Sequence, residues 1–234
     1  VHGKSCSSGA MPTLSKRFTT FESFAAASLE EIYTPARLAE ANRLSATILE
    51  SGVLLNETSP TGEIYFEFRP LPRLAQVSPI YGLSFVHVNG DAIPDLYVAQ
   101  NFFGPQRETG RMDGGVSLLL EGQGDGTFEP VWPDKSGLMV AGDATSVTTN
   151  DINGDGYLDL LVGINNGKAL AFHLQGQMSA MPVNLRLQGS KGNPTAIGSR
   201  VTLVTKEGKL GALSGEVHAG GSYLSQSAPI VSFQ

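Results

Sequence analysis

The sequence is poor in cysteine, in clustered basic residues and in long apolar runs. Cys6 is the single cysteine among 234 residues, which excludes an internal disulfide and a thiolate metal cluster. The 16 basic residues are scattered and are outnumbered by 22 acidic ones, a balance that argues against nucleic acid as a partner. No apolar run reaches the length of a membrane span. The composition therefore predicts a water-soluble chain whose partners are neither nucleic acid nor lipid.

Glycine and proline are abundant, with 28 and 13 residues respectively. This content is below that of low-complexity chains, but it indicates many turns. Hydrophobic residues make up 41% of the chain, enough for an ordinary buried core. Together these values predict a globular protein built from many short strands.

The most informative segment is residues 151–159, in which side chains with oxygen atoms occupy positions one, three, five and nine. Calcium binds six to eight oxygen atoms, and an acidic start of this kind supplies several of them from one short loop. Gly156 permits the bend that such a loop requires. The segment therefore predicts a calcium-binding loop, with candidate oxygen donors at Asp151, Asn153, Asp155 and Asp159.

The loop differs from an EF-hand because it leads into the strand pattern of residues 160–163 and lacks a glutamate at position twelve. It is better described as a loop that enters a strand. The alternative is that Asn153-Gly154 and Asp155-Gly156 are turn dipeptides with solvated acidic neighbours.

A second copy of this pattern lies 64 residues earlier, in residues 87–95. At this constant offset Asn89, Asp91 and Asp95 correspond to the amide and carboxylates of the later loop. Glycine-turn hairpins accompany both copies, one in residues 116–128 and a weaker one in residues 54–66. A fixed period of this size, with about four strands per unit, predicts propeller blades.

The earlier copy departs from the calcium pattern at three positions. His87 replaces the leading carboxylate, Ala92 replaces the glycine of the bend, and Pro94 stiffens the exit. A weaker second metal site at Asn89, Asp91 and Asp95 remains open, but a metal-free turn between two strands is the favoured interpretation.

The two ends of the chain have a different organisation. Residues 16–50 carry two helical stripes: one begins with a capping box formed by Thr19 and Glu22, and the other begins at Thr34-Pro35 and continues to Gly52. Residues 1–15 are expected to be the end of a preceding blade or a linker. Residues 51–176 are expected to form two blades, and the alternating pattern of residues 182–234 predicts a small β domain.

The later loop and its strand resemble the FG-GAP or VCBS repeat of integrin-type β-propellers. This resemblance implies that calcium is bound by the four side chains named above and by the backbone carbonyl of Tyr157. Residues 192–201 and 220–227 resemble the UnbV/ASPIC domain, which follows FG-GAP repeats in cartilage acidic protein-like proteins and their bacterial relatives. The pairing of the two resemblances is more informative than either alone.

The predicted fold class is mainly β, with partial FG-GAP/VCBS propeller blades, an N-terminal helical insertion and a small C-terminal β domain. Two blades cannot close a ring of four to eight. The chain is therefore expected to be the C-terminal part of a longer propeller protein, or to be completed by an additional chain that covers its open edges. The UnbV/ASPIC-like domain is expected to lack its last strands.

The expected function is that of a calcium-stabilised extracellular binding or adhesion protein, non-catalytic in this region, whose partner is a protein or a carbohydrate. A secreted or cell-surface location is expected, with the periplasm as an alternative. Two other functions remain open: a polysaccharide lyase or hydrolase with its active site in another part of the propeller, and a structural subunit of an extracellular assembly.

Overall fold

The computed structural model describes residues 3–106, 109–175, 181–204 and 212–233. The chain divides into two compact units, residues 1–49 and residues 50–234. Its secondary structure is mainly β, arranged in several small sheets without a closed barrel, with most of the helices at the N-terminus. The predicted fold class is therefore confirmed.

The first unit consists of five short helices: α1 Lys4–Ala10, α2 Thr13–Arg17, α3 Phe21–Ala26, α4 Leu29–Tyr33 and α5 Pro35–Glu40. They pack around four buried side chains, Leu14, Phe18, Phe24 and Ile32. The rings of Phe18 and Phe24 meet edge to face with centroids 5.6 Å apart. Residues 4–10 and 13–17 are thus helical, whereas the sequence led us to expect the end of a preceding blade or a linker over residues 1–15.

The helix starts follow local hydrogen bonding. The capping box of α3 joins Thr20 to Ser23, one residue later than the predicted pair of Thr19 and Glu22. A second box, which the sequence analysis missed, joins Ser28 to Glu31 at the start of α4.

The predicted helix that continues to Gly52 is wrong beyond residue 40, because α5 ends at Glu40. The apolar stripe that suggested the longer helix has no core to cover. Leu44 and Ile48 of this stripe are 93% and 54% exposed. An apolar stripe stabilises a helix only when it is buried against a partner.

In its described part, the second unit contains the strands and one short α-helix, α6 Pro133–Ser136. Its strands are β1 Gly52–Asn56, β2 Phe66–Pro70, β3 Ile80–Val86, β4 Asp95–Gln100, β5 Leu118–Gly122, β6 Phe128–Val131, β7 Ala144–Asn150, β8 Asp159–Ile164, β9 Leu170–Phe172, β10 Val183–Leu185, β11 Arg200–Val204, β12 Ala212–Glu216 and β13 Val231–Phe233. A 3-10 turn spans Arg73–Gln76. The principal sheets have the order β3-β4-β5-β6 and β7-β8-β9, which we call blade 1 and blade 2.

The 64-residue period recurs in the strands themselves. The bounds of β3 and β4 become those of β7 and β8 when 64 is added to each residue number. The register irregularity after Ile80 in β3 also recurs after Ala144 in β7. The two blades are therefore copies of one folding unit in both sequence and backbone.

The core lies on the two faces of blade 1. One face, which includes Tyr97 and Leu119, packs against Val147 and Val162 of blade 2. The opposite face, which includes Leu96, Val98, Leu118 and Leu120, packs against Leu71, Ala75 and, in part, Val53 of β1. Burial on both faces explains why β4 is apolar almost throughout and why all six of its residues are buried.

The C-terminal segment forms two small antiparallel pairs, β10 with β13 and β11 with β12. Their shared core contains the buried side chains Val217, Val231 and Phe233. The segment Lys206-Glu207-Gly208-Lys209 has the composition of a turn, but it lies outside the described residues. Serine side chains tie this segment to both blades: Ser222 Oγ accepts a hydrogen bond from Leu83 N–H (3.1 Å), and Ser227 Oγ accepts one from Thr149 N–H (3.1 Å).

Candidate metal site

The loop of residues 151–158 connects β7 to β8, and its first carboxylate organises the turn. The two oxygens of Asp151 accept hydrogen bonds from the backbone N–H groups of Gly154 (2.7 Å) and Gly156 (3.0 Å). Gly156 has a φ of 93°, in the left-handed region that glycine adopts at little cost. Asp151 therefore holds the loop in a tight coil around its own side chain.

The next two polar side chains also accept hydrogen bonds from backbone N–H groups of the loop. Asn153 Oδ1 accepts a hydrogen bond from Asp155 N–H (2.9 Å), and Asp155 Oδ1 accepts one from Tyr157 N–H (2.8 Å). Asn153 Nδ2 donates to the other oxygen of Asp155 (2.8 Å). The Tyr157 bond, then the Asn153 bond and a nearby His173, hold the pKa of Asp155 below its usual value. The exposed Asp155 is therefore poised to remain a carboxylate.

Asp159, at position nine, has different surroundings because it is fully buried at the start of β8. Its Oδ2 accepts a hydrogen bond from Ile152 N–H (2.9 Å) and lies 3.1 Å from His173 Nδ1. Its Oδ1 accepts a bond from Leu174 N–H (3.4 Å). Asp159 thus joins the beginning of the loop to the end of β9, and both of its oxygens are already engaged.

The loop of residues 87–94, between β3 and β4, repeats this network. Asn89 Oδ1 accepts a bond from Asp91 N–H (3.1 Å), Asn89 Nδ2 donates to Asp91 Oδ2 (2.9 Å), and Asp91 Oδ1 accepts from Ile93 N–H (2.8 Å). Asn89 Nδ2 also donates to Glu121 Oε1 (3.1 Å), a carboxylate that lies on β5. This loop is therefore linked to its own blade by a direct amide–carboxylate contact.

Asp95 occupies the position in the first loop that Asp159 occupies in the second, and it has the same structural role. It is fully buried, and its two oxygens accept bonds from Val88 N–H and Gly122 N–H, each 3.0 Å long. Desolvation raises the pKa of Asp95 above its usual value, although these two bonds oppose the shift. The aspartate at position nine is thus a structural link in both blades.

The two loops differ most at positions one and six. His87 stands where Asp151 stands, and its Nδ1 is buried without a hydrogen-bond partner among the described residues. Ala92 stands where Gly156 stands and has a φ of 66°, which costs an alanine free energy. The first loop thus repeats the hydrogen-bonded turn of the second loop without its leading carboxylate or its glycine.

Two contributing residues were missed by the sequence analysis, Glu121 and His173. Each follows a residue of the third strand of its blade: Leu120 pairs with Leu96, and Phe172 pairs with Leu160. They occupy equivalent places, but the connection from the second to the third strand is longer in blade 1. A search at a single 64-residue offset therefore could not align them.

No group of three or more His, Cys, Asp or Glu side chains in the described part of the chain is arranged to hold a metal ion. The proposed ligand set is not of that composition, since it includes the amide of Asn153 and the carbonyl of Tyr157. The structure brings Asp151, Asn153 and Asp155 into one coil of backbone and places Asp159 beneath it.

Comparison with known families accords with this geometry. Residues 87–162 match the family model of the FG-GAP-like repeat, and residues 189–233 match the model described as ASPIC and UnbV. The chain combines an FG-GAP-like repeat with an UnbV/ASPIC domain. The FG-GAP-like match begins at His87 and ends in β8, so it contains both acidic loops. No curated protein matches the chain significantly.

The aromatic residues near the FG-GAP-like repeat are only partly in the core. Tyr97 is fully buried, whereas Trp132 is 56% exposed. Tyr81 lies 5.4 Å from Phe102 and 5.9 Å from Tyr223 of the UnbV/ASPIC domain, measured between ring centroids. The repeat and the UnbV/ASPIC domain therefore share one partly exposed aromatic cluster.

These two domains together suggest an extracellular protein of the β-propeller type with a protein-binding role. Among the described residues, no helix has both the length and the apolar character of a membrane span.

Proposed function

We propose that this chain belongs to a secreted or cell-surface β-propeller protein whose second acidic loop binds calcium and which acts by binding or adhesion rather than catalysis. The observation that carries the proposal is the coil of residues 151–158. It directs a carboxylate, an amide and a second carboxylate from alternate positions of one loop. These are hard oxygen donors of the type that Ca²⁺ prefers.

The donor set fits a calcium ion. Asp155 and Asn153 are exposed, and Asp151 is partly exposed. Each carboxylate oxygen of Asp151 accepts one backbone bond, which leaves acceptor capacity for an ion. The proposed ligands are Asp151, Asn153, Asp155 and Asp159 through their side chains and Tyr157 through its carbonyl, and the buried Asp159 also anchors the loop from below.

The ion has a structural task. Asp151, Asp155 and Asp159 lie within nine residues, and their mutual repulsion opposes the closed form of the loop. A cation among them offsets this repulsion and stabilises the folded chain through mass action. Extracellular fluid, where free calcium is plentiful, suits a site of this kind.

We propose that the first loop binds calcium more weakly than the second. Asn89, Asp91 and Asp95 form the weaker site, because His87 contributes no carboxylate and Asn89 is already bonded to Glu121. The first loop closes through that protein contact instead of through an ion.

Thermal unfolding in the presence and absence of calcium tests the proposal. The melting temperature of the purified chain should fall when EGTA removes calcium and should recover when excess calcium is added. An equal concentration of magnesium should restore little, because Mg²⁺ demands a smaller and more regular site. An identical melting curve in EGTA and in calcium would contradict the proposal.

The ligand surface proposed here is the aromatic cluster of Tyr81, Phe102 and Tyr223. Tyr81 and Tyr223 are 36% and 52% exposed, and tyrosine provides rigid contact area for protein or carbohydrate ligands. A panel of immobilised glycans and matrix proteins would reveal a ligand. Tyr223→Ala should weaken its binding at least tenfold, whereas Tyr65→Ala, an equally exposed tyrosine on another loop, should not.

A further inference from the structure

The second acidic loop contacts the small sheet of the UnbV/ASPIC domain through β10. This strand precedes the matched residues 189–233, but it pairs with β13, which lies within them. Asn184 of β10 donates a hydrogen bond from Nδ2 to the carbonyl oxygen of Gly156. Just before β10, the sulfur of Met181 accepts a hydrogen bond from the Tyr157 hydroxyl (3.6 Å). The domain therefore touches the loop at positions six and seven.

One peptide unit of the loop joins these contacts to the proposed calcium ligands. The carbonyl of this unit, on Gly156, accepts the bond from Asn184. Its N–H group, on Tyr157, donates to Asp155 Oδ1 (2.8 Å). Because a peptide unit is planar, a fixed direction of its N–H group also fixes the direction of its carbonyl. Asp155 and Asn184 are therefore linked through a single rigid group.

The first loop has a different neighbour at the same positions. Ile93 N–H donates to Asp91 Oδ1 (2.8 Å), as in the second loop. The side chain of Ile93, however, packs against Gly122 and Gly124 at the turn from β5 to β6. The loop with the incomplete donor set is thus closed against its own blade, whereas the loop with the complete set faces another domain.

The UnbV/ASPIC domain has a second attachment to the blades, which does not use the loop. Ser225 Oγ donates to Val147 O (3.1 Å), and Ala228 N–H donates to Thr149 O (3.1 Å), both on β7. These bonds hold the domain close to the blades independently of the loop. A change in the contact at β10 can therefore be measured in a chain that is otherwise intact.

We propose that the contact between β10 and the second loop is a calcium-dependent latch, in which calcium binding and the docking of β10 strengthen each other. In the calcium-free chain, Gly156 lets the peptide unit rotate at little cost. With a cation bound, Asp155 and the Tyr157 carbonyl hold the unit in the orientation that Asn184 recognises.

The size of the coupling follows from the single hydrogen bond that carries it. Such a bond is worth about fivefold in an equilibrium constant. Coupling between two binding events is reciprocal, so the docked strand raises the affinity of the loop for calcium by the same factor. The latch rests on the calcium site proposed above.

Hydrogen exchange of the intact chain, with and without calcium, tests the latch. Exchange of the amides of Val183–Leu185 should slow about fivefold when calcium replaces EGTA. The amide of Leu83, which donates to Ser222 in the second attachment, is the internal control and should change little. Isothermal titration of the same samples measures calcium binding itself.

Two variants localise the effect. Asn184→Ala removes the donor at an exposed position, so this variant should melt in EGTA like the parent chain. Its calcium dissociation constant should rise about fivefold, and calcium should no longer slow exchange in β10. Gln188→Ala removes another exposed amide from the same segment and should behave like the parent chain in both measurements.

The latch and the calcium site can fail separately. If the parent chain binds calcium but exchange in β10 is unchanged, the latch is wrong and the calcium site stands. The same holds if Asn184→Ala binds calcium as tightly as Gln188→Ala, or if calcium still slows exchange in β10 of Asn184→Ala. If the parent chain binds no calcium, the proposed calcium site and the latch are both wrong.

Discussion

The two acidic loops share the hydrogen bonds made by their Asn and Asp side chains at positions three, five and nine, yet they differ in the residues that a cation needs. Both end in a buried aspartate that accepts backbone bonds: Asp95 from the loop and from β5, and Asp159 from the loop and from Leu174, just beyond β9. Only the second begins with a carboxylate and bends at a glycine. The comparison therefore separates two roles within the motif. The aspartate at position nine builds the blade, whereas the carboxylate at position one and the glycine at position six belong to the proposed ion site.

The largest expected effect comes from the buried aspartates, because they are common to both loops. Asp95→Ala and Asp159→Ala each leave buried N–H donors without acceptors, so each should lower the free energy of unfolding by about 3 kcal/mol. Urea unfolding in EGTA measures both. A loss below about 1 kcal/mol in either variant would show that the aspartate at position nine is not a structural link there.

The next effect should separate the loops. Calcium at about a hundred times its dissociation constant should add about 2.7 kcal/mol to the unfolding free energy of the parent chain. Asp155→Ala should abolish this increment, whereas Asp91→Ala, the matched change in the first loop, should retain it. Urea unfolding with and without calcium gives both increments, and equal losses in the two variants would remove the distinction between the loops.

Substitutions at position six should have smaller effects on the free energy of unfolding, with opposite signs in the two loops. Ala92→Gly should raise the free energy of unfolding by about 1 kcal/mol, because glycine relieves the positive φ. Gly156→Ala should lower it by about 1 kcal/mol in EGTA. A new Cβ at residue 156 would lie 3.5 Å from Met181 Cε, which is ordinary contact, so the cost is conformational. Changes of the same sign would contradict this account.

The smallest effect concerns pH in the absence of calcium. The lowered pKa of Asp155 gives stability that is present above its ordinary value of 3.8 and is lost as pH falls through the folded pKa. The raised pKa of Asp95 acts in the opposite direction: it costs stability at neutral pH, and this cost is relieved as pH falls through its folded pKa toward 3.8.

Asp155→Asn should therefore flatten the loss of stability on acidification, and Asp95→Asn should steepen it. Urea midpoints measured in EGTA from pH 7 to pH 3 give both slopes. Parallel curves for the two variants would show that the opposite pKa shifts are absent.

Much of this arrangement follows from local pattern. The 64-residue offset predicted two equivalent blades, and the bounds of β3 and β4 recur in β7 and β8 at that offset. Asp155-Gly156 predicted the bend because few other residues adopt a positive φ easily. The β1–β2 hairpin was also visible as a weaker copy of β5–β6.

Other features depend on the tertiary structure. Glu121 and His173 reach the loops from a third strand, and the different connection lengths conceal their equivalence in the sequence. The bond from Asn184 to the Gly156 carbonyl joins residues 28 positions apart and follows from no motif. The apolar stripe beyond Glu40 predicted a helix that does not form, because periodicity does not show whether a partner surface exists.

The central claim is that the second loop binds calcium and that the first does so weakly or not at all. Isothermal titration of the calcium-free chain tests it most directly. The account predicts one dominant site per chain, which Asp155→Ala eliminates and Asp91→Ala preserves. Absence of calcium binding, or a dominant site that survives Asp155→Ala, would contradict it.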